Sequence, residues 1–221
     1  MPGLKNKKIL ITAGPTWVAV DKVRVITNIF GGALGAIIAE QAKKIGAQVT
    51  LLMGPGRAKL PAENKNFRIV KFKYYDDLLA LVKQEVGSKK YDIVIHSSAV
   101  SDYRPVLGKK KKIKSGRKNL VIRLRPTPKI VNLMKRLDPK IFLVKFKLEV
   151  DLKKQELIDV AYRSLKESKA DLIVANDFKT VAKNHQAFII EPDKTIHAYK
   201  NKEKIAAGLL RLIEKKNSHA Q

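Results

Sequence analysis

Cysteine does not occur among the 221 residues. Its absence excludes disulfides, a thiolate zinc site and a cysteine nucleophile. Aromatic residues make up only 6% of the chain, so positive charge is not interleaved with the stacking rings of a sequence-reading nucleic-acid binder. Acids are scarce too: Asp+Glu number 20 against 46 Lys+Arg, a net charge of +26. No apolar run approaches the ~18 residues of a membrane span. The N-terminal lysines are not followed by a signal-peptide apolar block, and the expectation is a cytoplasmic protein without a membrane partner. His96, His185, His197 and His219 are scattered, none at metal-ligand spacing, so no metal-binding residue is assigned. A Gly-x-Ser-x-Gly elbow and the Gly-Lys-Ser/Thr of a P-loop are also missing.

What is present can fill a core: 45% of the residues are apolar. The length suits one domain, residues 1–221. Apolar runs predict strands at 8–12, 48–53, 67–72, 91–97, 141–146 and 172–175. Helical spacing predicts helices over 33–45, 76–86, 130–137, 153–168 and 202–216. Residues 120–124 alternate like an exposed strand, and 187–191 with 195–199 flank Pro192-Asp193-Lys194 as a hairpin. Strand–helix alternation with both-face-buried strands defines the class: α/β, doubly wound, with a mostly parallel Rossmann-like sheet and a C-terminal β-hairpin elaboration. The basic balance favours anionic partners such as nucleotides and phosphates.

Two stretches carry chemistry. Residues 13–35 lead from the first strand to the first helix through Arg24, Asn28, Gly31, Gly32 and Gly35. Glycines let backbone approach an anion, and free N–H groups at a helix start face negative charge; the same glycines equally serve a tight helix entry. The fingerprint of a nicotinamide dehydrogenase is not met. The loop is too long, and the second strand ends Leu51-Leu52-Met53-Gly54 without an acid for the ribose. The other stretch, Ser97-Ser98-Ala99-Val100-Ser101-Asp102-Tyr103-Arg104-Pro105, falls at the carboxyl end of the fourth strand, where open α/β sheets bind ligands. Its small residues leave room for a base or ribose, and Asp102 can accept hydrogen bonds or cap a turn. A lysine run at 109–112 with Lys114 follows. It reads as a solvated, mobile loop or as a basic flap (109–128 with its strand) that neutralises triphosphate oxygens.

The blocks Asp21-x-Val23-Arg24-x-Ile26-Thr27-Asn28 with Gly32 and Gly35, Ala99-Val100-Ser101-Asp102-Tyr103-Arg104-Pro105, Lys112-Ile113-Lys114, Phe146-Lys147-Leu148-Glu149 and Val174-Ala175-Asn176-Asp177 come in one order along the chain. In that order they resemble the signature of phosphopantothenate–cysteine ligases (phosphopantothenoylcysteine synthetases) in their stand-alone form. The resemblance implies a coenzyme A biosynthetic ligase that joins 4′-phosphopantothenate to cysteine through an acyl-nucleotidyl intermediate. CTP, or ATP, and Mg²⁺ would be the co-substrates. It implies catalytic roles for Asn28, Lys112 and Arg24. Ser98, Ala99, Asp102, Lys112, Phe146 and Asn176 would bind nucleotide, and Arg24, Asn28, Gly31 and Gly32 phosphopantothenate. It also implies a homodimer, with the 187–199 hairpin and the arm after Gly116 as contact regions. The family usually carries Asn-x-Ser-Ser-Gly-Lys-Met-Gly where this chain reads Asn28-Ile29-Phe30-Gly31-Gly32-Ala33-Leu34-Gly35; the phosphate is then left to backbone N–H groups. The alternative is a non-catalytic nucleotide- or nucleic-acid-binding relative with an altered phosphate loop.

Overall fold

A computed structural model describes residues 2–106, 112–116, 118–181 and 185–218. The strands are β1 (Lys8–Ala13), β2 (Trp17–Ala19), β3 (Val25–Thr27), β4 (Gln48–Met53), β5 (Phe67–Lys71), β6 (Ile93–His96), β7 (Tyr103–Pro105), β8 (Leu124–Pro126), β9 (Phe142–Glu149), β10 (Leu172–Asp177), β11 (Gln186–Ile190) and β12 (Ile196–Lys200). The helices are α1 (Ala33–Lys44), α2 (Tyr75–Gly87), α3 (Val131–Leu137), α4 (Lys154–Ser168), α5 (Phe178–Val181) and α6 (Lys202–Ser218).

Among the described residues, eight strands form one sheet in the order β12-β11-β10-β9-β6-β1-β4-β5. From β10 to β5 all pairings are parallel, and β11 and β12 join antiparallel. The parallel part starts in the middle at β1, runs outward through β4 and β5, then returns to the other side with β6, β9 and β10. This is the doubly wound Rossmann order, and its switch point lies between β1 and β6.

Alternate residues of these strands face opposite helix layers. Ile9, Ile11, Ile93, Ile95, Val144 and Val174 pack with Ile38 of α1 and Leu209 and Ile213 of α6. Leu10, Leu52, Val94 and Leu143 pack with Leu78 and Val82 of α2 and Met134 of α3. Ile173 and Ala175 meet Leu157, Ala161 and Leu165 of α4. Each such aliphatic side chain contributes roughly 1.5–3 kcal/mol on full burial. Buried charge is compensated: burial pushes the Glu85 carboxyl up, but hydrogen bonds from Lys90, Tyr91 and Arg68 hold it at about 2.

Two short hairpins stand off the main sheet, β2–β3 and β7–β8. The strand expected at 120–124 falls instead at Leu124–Pro126. Its partner β7 is three residues long, so the ladder extends only to the Val106 N–H donated to the Arg123 carbonyl. The apolar residues 120–122 before it are left exposed. Lysines 109–111 of the expected flap lie outside the described residues.

Candidate functional site

The carboxyl ends of β1, β6, β9 and β10 open into a cleft of about 620 Å³. Its first wall is the glycine loop. Gly32 caps α1 in the left-handed region at φ 82°. A Cβ there would lie 2.7 Å from the Gly14 nitrogen and the Met53 Cε. A Cβ on Gly35 would lie 2.5 Å from Ala13 Cβ and Ser97 Oγ, so α1 can sit on β1 and β6 only without it. These glycines therefore serve the tight helix entry. Among the described residues no side chain caps α1, and its first turn lines the cleft, where backbone N–H groups at a helix start suit an anion.

The second wall follows β6. Ser97 donates Oγ–H to the Thr12 carbonyl, 2.8 Å away. Thr16, Ser101 and Thr127 form a buried chain: the Ser101 N–H donates to Thr16 Oγ1 at 2.9 Å, and Thr127 Oγ1 donates to the Ser101 carbonyl at 2.6 Å. These bonds fix the loops after β1, β6 and β8 to one another. Ser98 Oγ is buried, and no group among the described residues bonds it; such an atom in a cleft wall marks a place for a ligand or water. Asn28 reaches across from the first wall. Its Nδ2 donates to the Ala99 carbonyl at 3.0 Å and the Val100 carbonyl at 3.3 Å. With both amide hydrogens engaged, Asn28 offers the cleft its carbonyl oxygen, an acceptor.

The third wall is basic. Lys129, Lys145, Lys147 and Lys202 line it, against Asp102 and Glu167. Asp102 is half exposed and pairs with Lys129. Lys145 is buried at 7% exposure. Its Nζ donates to Ser164 Oγ at 2.9 Å and the Ser164 carbonyl at 3.0 Å. Burial pushes its ammonium down to about 8, with Glu167 opposing and Lys147 and Lys129 adding to the fall. On the neighbouring strand His96 is its register partner. Burial, then the Lys145 charge, lowers His96 to about 4, and its Nδ1 lies 2.7 Å from Thr12 Oγ1. Asn176 Oδ1 lies 3.1 Å from Nε2 of the buried His185.

Of the residues singled out from sequence, the cleft brings together Asn28, Gly31, Gly32, Ser98, Ala99, Asp102, Phe146 and Asn176. Arg24 and Lys112 do not line it. Arg24 Nη1 donates to Asp21 Oδ2 at 2.5 Å and to the Ile113 carbonyl at 3.3 Å. Phe30 lines the cleft without separating Asn28 from Asp102; its ring meets Phe178 edge-on, centroids 6.0 Å apart. Sequence reasoning passed over Lys145, Lys129, Lys202 and His96. The signal for Lys145 was a lysine inside the otherwise apolar Val144-Lys145-Phe146.

A Rossmann-ordered sheet whose carboxyl edge opens into one cleft, with the start of α1 on one side and lysines on the other, defines a Rossmann-type α/β domain whose cleft suits anionic ligands. The DNA/pantothenate metabolism flavoprotein C-terminal domain family matches residues 4–216, and the chain belongs to that family. It is 37% identical over 187 residues to the coenzyme A biosynthesis bifunctional protein CoaBC of Thermococcus kodakarensis, covering 85% of this chain and 45% of that protein. The chain thus spans under half of that relative. The crystal structure of the DNA/pantothenate metabolism flavoprotein from Streptococcus pneumoniae matches with a TM-score of 0.87 at 37% identity, over 95% of this chain and 99% of that one. The C-terminal domain of a CoaBC protein matches with a TM-score of 0.81 at 29% identity, over 99% of this chain and 100% of that one.

Proposed function

We propose that this chain is a phosphopantothenate–cysteine ligase, a reading in keeping with its likeness to coenzyme A biosynthesis proteins. The observation that carries the reading is the cleft itself: one opening holds the start of α1, Asn28, Ser98, Asp102 and a lysine wall. The 4′-phosphopantothenate carboxylate attacks the α-phosphorus of a nucleoside triphosphate. The bond to the bridging oxygen breaks, pyrophosphate leaves, and an acyl-nucleotidyl anhydride remains. The cysteine amine then attacks the acyl carbon, an amide forms, and the nucleoside monophosphate departs with the carboxyl oxygen while the amine gives up a proton.

Both steps bring anions together, so the protein's task is alignment and neutralisation of charge. Gly31, Gly32 and the α1 N–H groups suit the pantothenate phosphate. Ser98, Ala99, Asp102, Phe146 and Asn176 suit the nucleotide, with Lys145 and Lys129 near its phosphates. Asn28, as an acceptor, suits the attacking amine. CTP is our preferred nucleotide and ATP the alternative. Among the described residues no group of three or more His, Asp or Glu could hold a metal ion. Mg²⁺ fits best as part of the nucleotide substrate, since it keeps most of its waters and takes few protein carboxylates. A cytoplasmic setting goes with a reaction driven by soluble nucleoside triphosphate.

The test is pyrophosphate release from CTP, ATP, GTP and UTP with Mg²⁺, with and without 4′-phosphopantothenate, then with cysteine. Release that needs phosphopantothenate, and a cysteine adduct in the product, is expected. Release without it, or none with any nucleotide, overturns the reading.

A homodimer belongs to the same proposal. Val25, Tyr103, Val106, Val121, Ile122 and Leu124 are exposed apolar residues on or beside the two small hairpins, which favours that face and the arm after Gly116 over the 187–199 hairpin. Light scattering should give twice the chain mass, and Val121→Lys should shift the mass toward one chain. An unmodified chain that stays single at high micromolar concentration rejects this face.

A further inference from the structure

The side chain of Asp21 is 0% exposed although it lies in a surface hairpin. Its Oδ1 accepts the N–H groups of Val23 and Arg24, each at 2.8 Å. This turn geometry needs only one oxygen. The other, Oδ2, accepts the N–H of Ile113 at 2.9 Å, from 92 positions along the chain, and the Arg24 guanidinium. Arg24 in turn donates to the Ile113 carbonyl at 3.3 Å. Both backbone polar groups of Ile113 are thus bound by one ion pair, and the Ile113 side chain is buried at 7% exposure. The Ile113 amide, against burial and with the Val23 and Arg24 amides helping, holds the Asp21 carboxyl at about 2, so the grip is charged at every physiological pH. The residue just before Ile113 is Lys112, which is itself exposed. The same hairpin continues from β3 directly into Asn28.

We propose that the Asp21–Arg24 pair is a positioning device: by gripping Ile113 it fixes Lys112 relative to Asn28. Arg24 then acts through Lys112 rather than on substrate. The catalytic half of this inference rests on the ligase reading; the grip on Ile113 does not. A lysine on a long loop contributes to charge stabilisation only if its stem is held, since its own rotamer freedom must be overcome at each turnover.

Asp21→Asn separates the two oxygens. The amide oxygen can keep the Val23 and Arg24 bonds, while the NH₂ faces two donors and loses Ile113. Hydrogen exchange at the Ile113 amide should become at least about tenfold faster, with the β1 and β6 amides unchanged. Turnover should fall about tenfold or more with the KM for phosphopantothenate held, and Lys112→Ala should cost about a hundredfold. The double variant should be no slower than Lys112→Ala alone, because the first change acts through the second residue. If Asp21→Asn fails to fold, Arg24→Lys carries the same cycle; it keeps the charge but loses the fork that spans Asp21 and Ile113. Multiplying losses in the double variant, or an Ile113 amide insensitive to Asp21, overturns the proposal. If the unmodified chain shows no phosphopantothenate-dependent turnover, the ligase reading and the catalytic half fall together. The exchange result then decides the grip alone.

Discussion

Replacing Asn28 by alanine should lower the rate of phosphopantothenoylcysteine formation by about 10²–10³, the range seen when one positioned polar group is removed from a charged transition state. The effect should sit in turnover. Asn28 is exposed on the cleft wall and fixed by the Ala99 and Val100 carbonyls, so nothing in the core depends on it, and thermal stability should change little. Asn28→Asp sharpens the test. The carboxylate has almost the same shape, but it would face the two carbonyl oxygens with no hydrogen to give, and it adds negative charge where anions must meet. It should be at least as slow as the alanine variant. A quench assay that separates anhydride formation from aminolysis should place the larger loss in the second step, where an acceptor can orient the amine. An alanine variant with near-normal turnover would remove Asn28 from the chemistry.

The parallel sheet was legible because a strand buried on both faces has to be apolar throughout. Residues 8–12, 48–53 and 91–97 announce themselves by Val, Ile and Leu alone, and the helices between them by their spacing. The small hairpins were not legible in the same way. Trp17–Ala19 and Val25–Thr27 are three residues each and take their shape from tertiary bonds, such as the Trp17 N–H donated to the Lys73 carbonyl at 2.8 Å. Short elements of this kind carry too few side chains to show a period.

The site divides along the same line. Asp102 was singled out because it follows the carboxyl end of a parallel strand, where ligands bind; Asn28 and Asn176 were singled out by the family blocks, and one cleft is lined by all three. The glycines were found too, though Gly32 and Gly35 turn out to answer steric demands of α1 on β1 and β6. Arg24 was expected in the cleft because the family resemblance gives it a catalytic and phosphopantothenate-binding role. Sequence cannot show that a closer partner, Asp21, three residues earlier, claims it. Lys145 went unnoticed for the opposite reason. Inside a core strand it looked like an interruption, and only the register His96↔Lys145 and the bond to Ser164 on α4 place it in the cleft wall.

That lysine gives the second large effect, a pH dependence of nucleotide binding. Burial leaves its ammonium at about 8, and its hydrogen-bond partners are the neutral oxygens of Ser164. The Glu167 charge opposes that fall, while Lys147 and Lys129 repel the ammonium. An anionic phosphate beside it stabilises the charged form and raises the pKa on binding. Below pH 8 the free protein already holds the proton, and affinity should be flat. Above pH 8 the proton must be taken up with the ligand, and affinity should fall by up to about tenfold per pH unit until the pKa of the complex is reached. Calorimetry of CTP and ATP binding in buffers of different ionisation enthalpy would read that uptake directly.

Lys145→Met should weaken nucleotide binding about 10–100-fold at pH 7, the loss of one charge-assisted bond, and should flatten the profile above pH 8. Stability of the free protein should move the other way. Below pH 8 both folded and unfolded chains carry the charge, and the folded one bears its desolvation, so methionine there should be neutral or stabilising. As pH rises from 8 toward the 10.5 of an ordinary lysine, the folded native chain sheds the proton first and that penalty is relieved, which narrows any advantage of methionine. A variant that binds nucleotide as tightly as the parent, with the same pH profile, would take Lys145 out of the site. One that loses both binding and stability at pH 7 would make it a structural lysine, held for Ser164 and α4 alone.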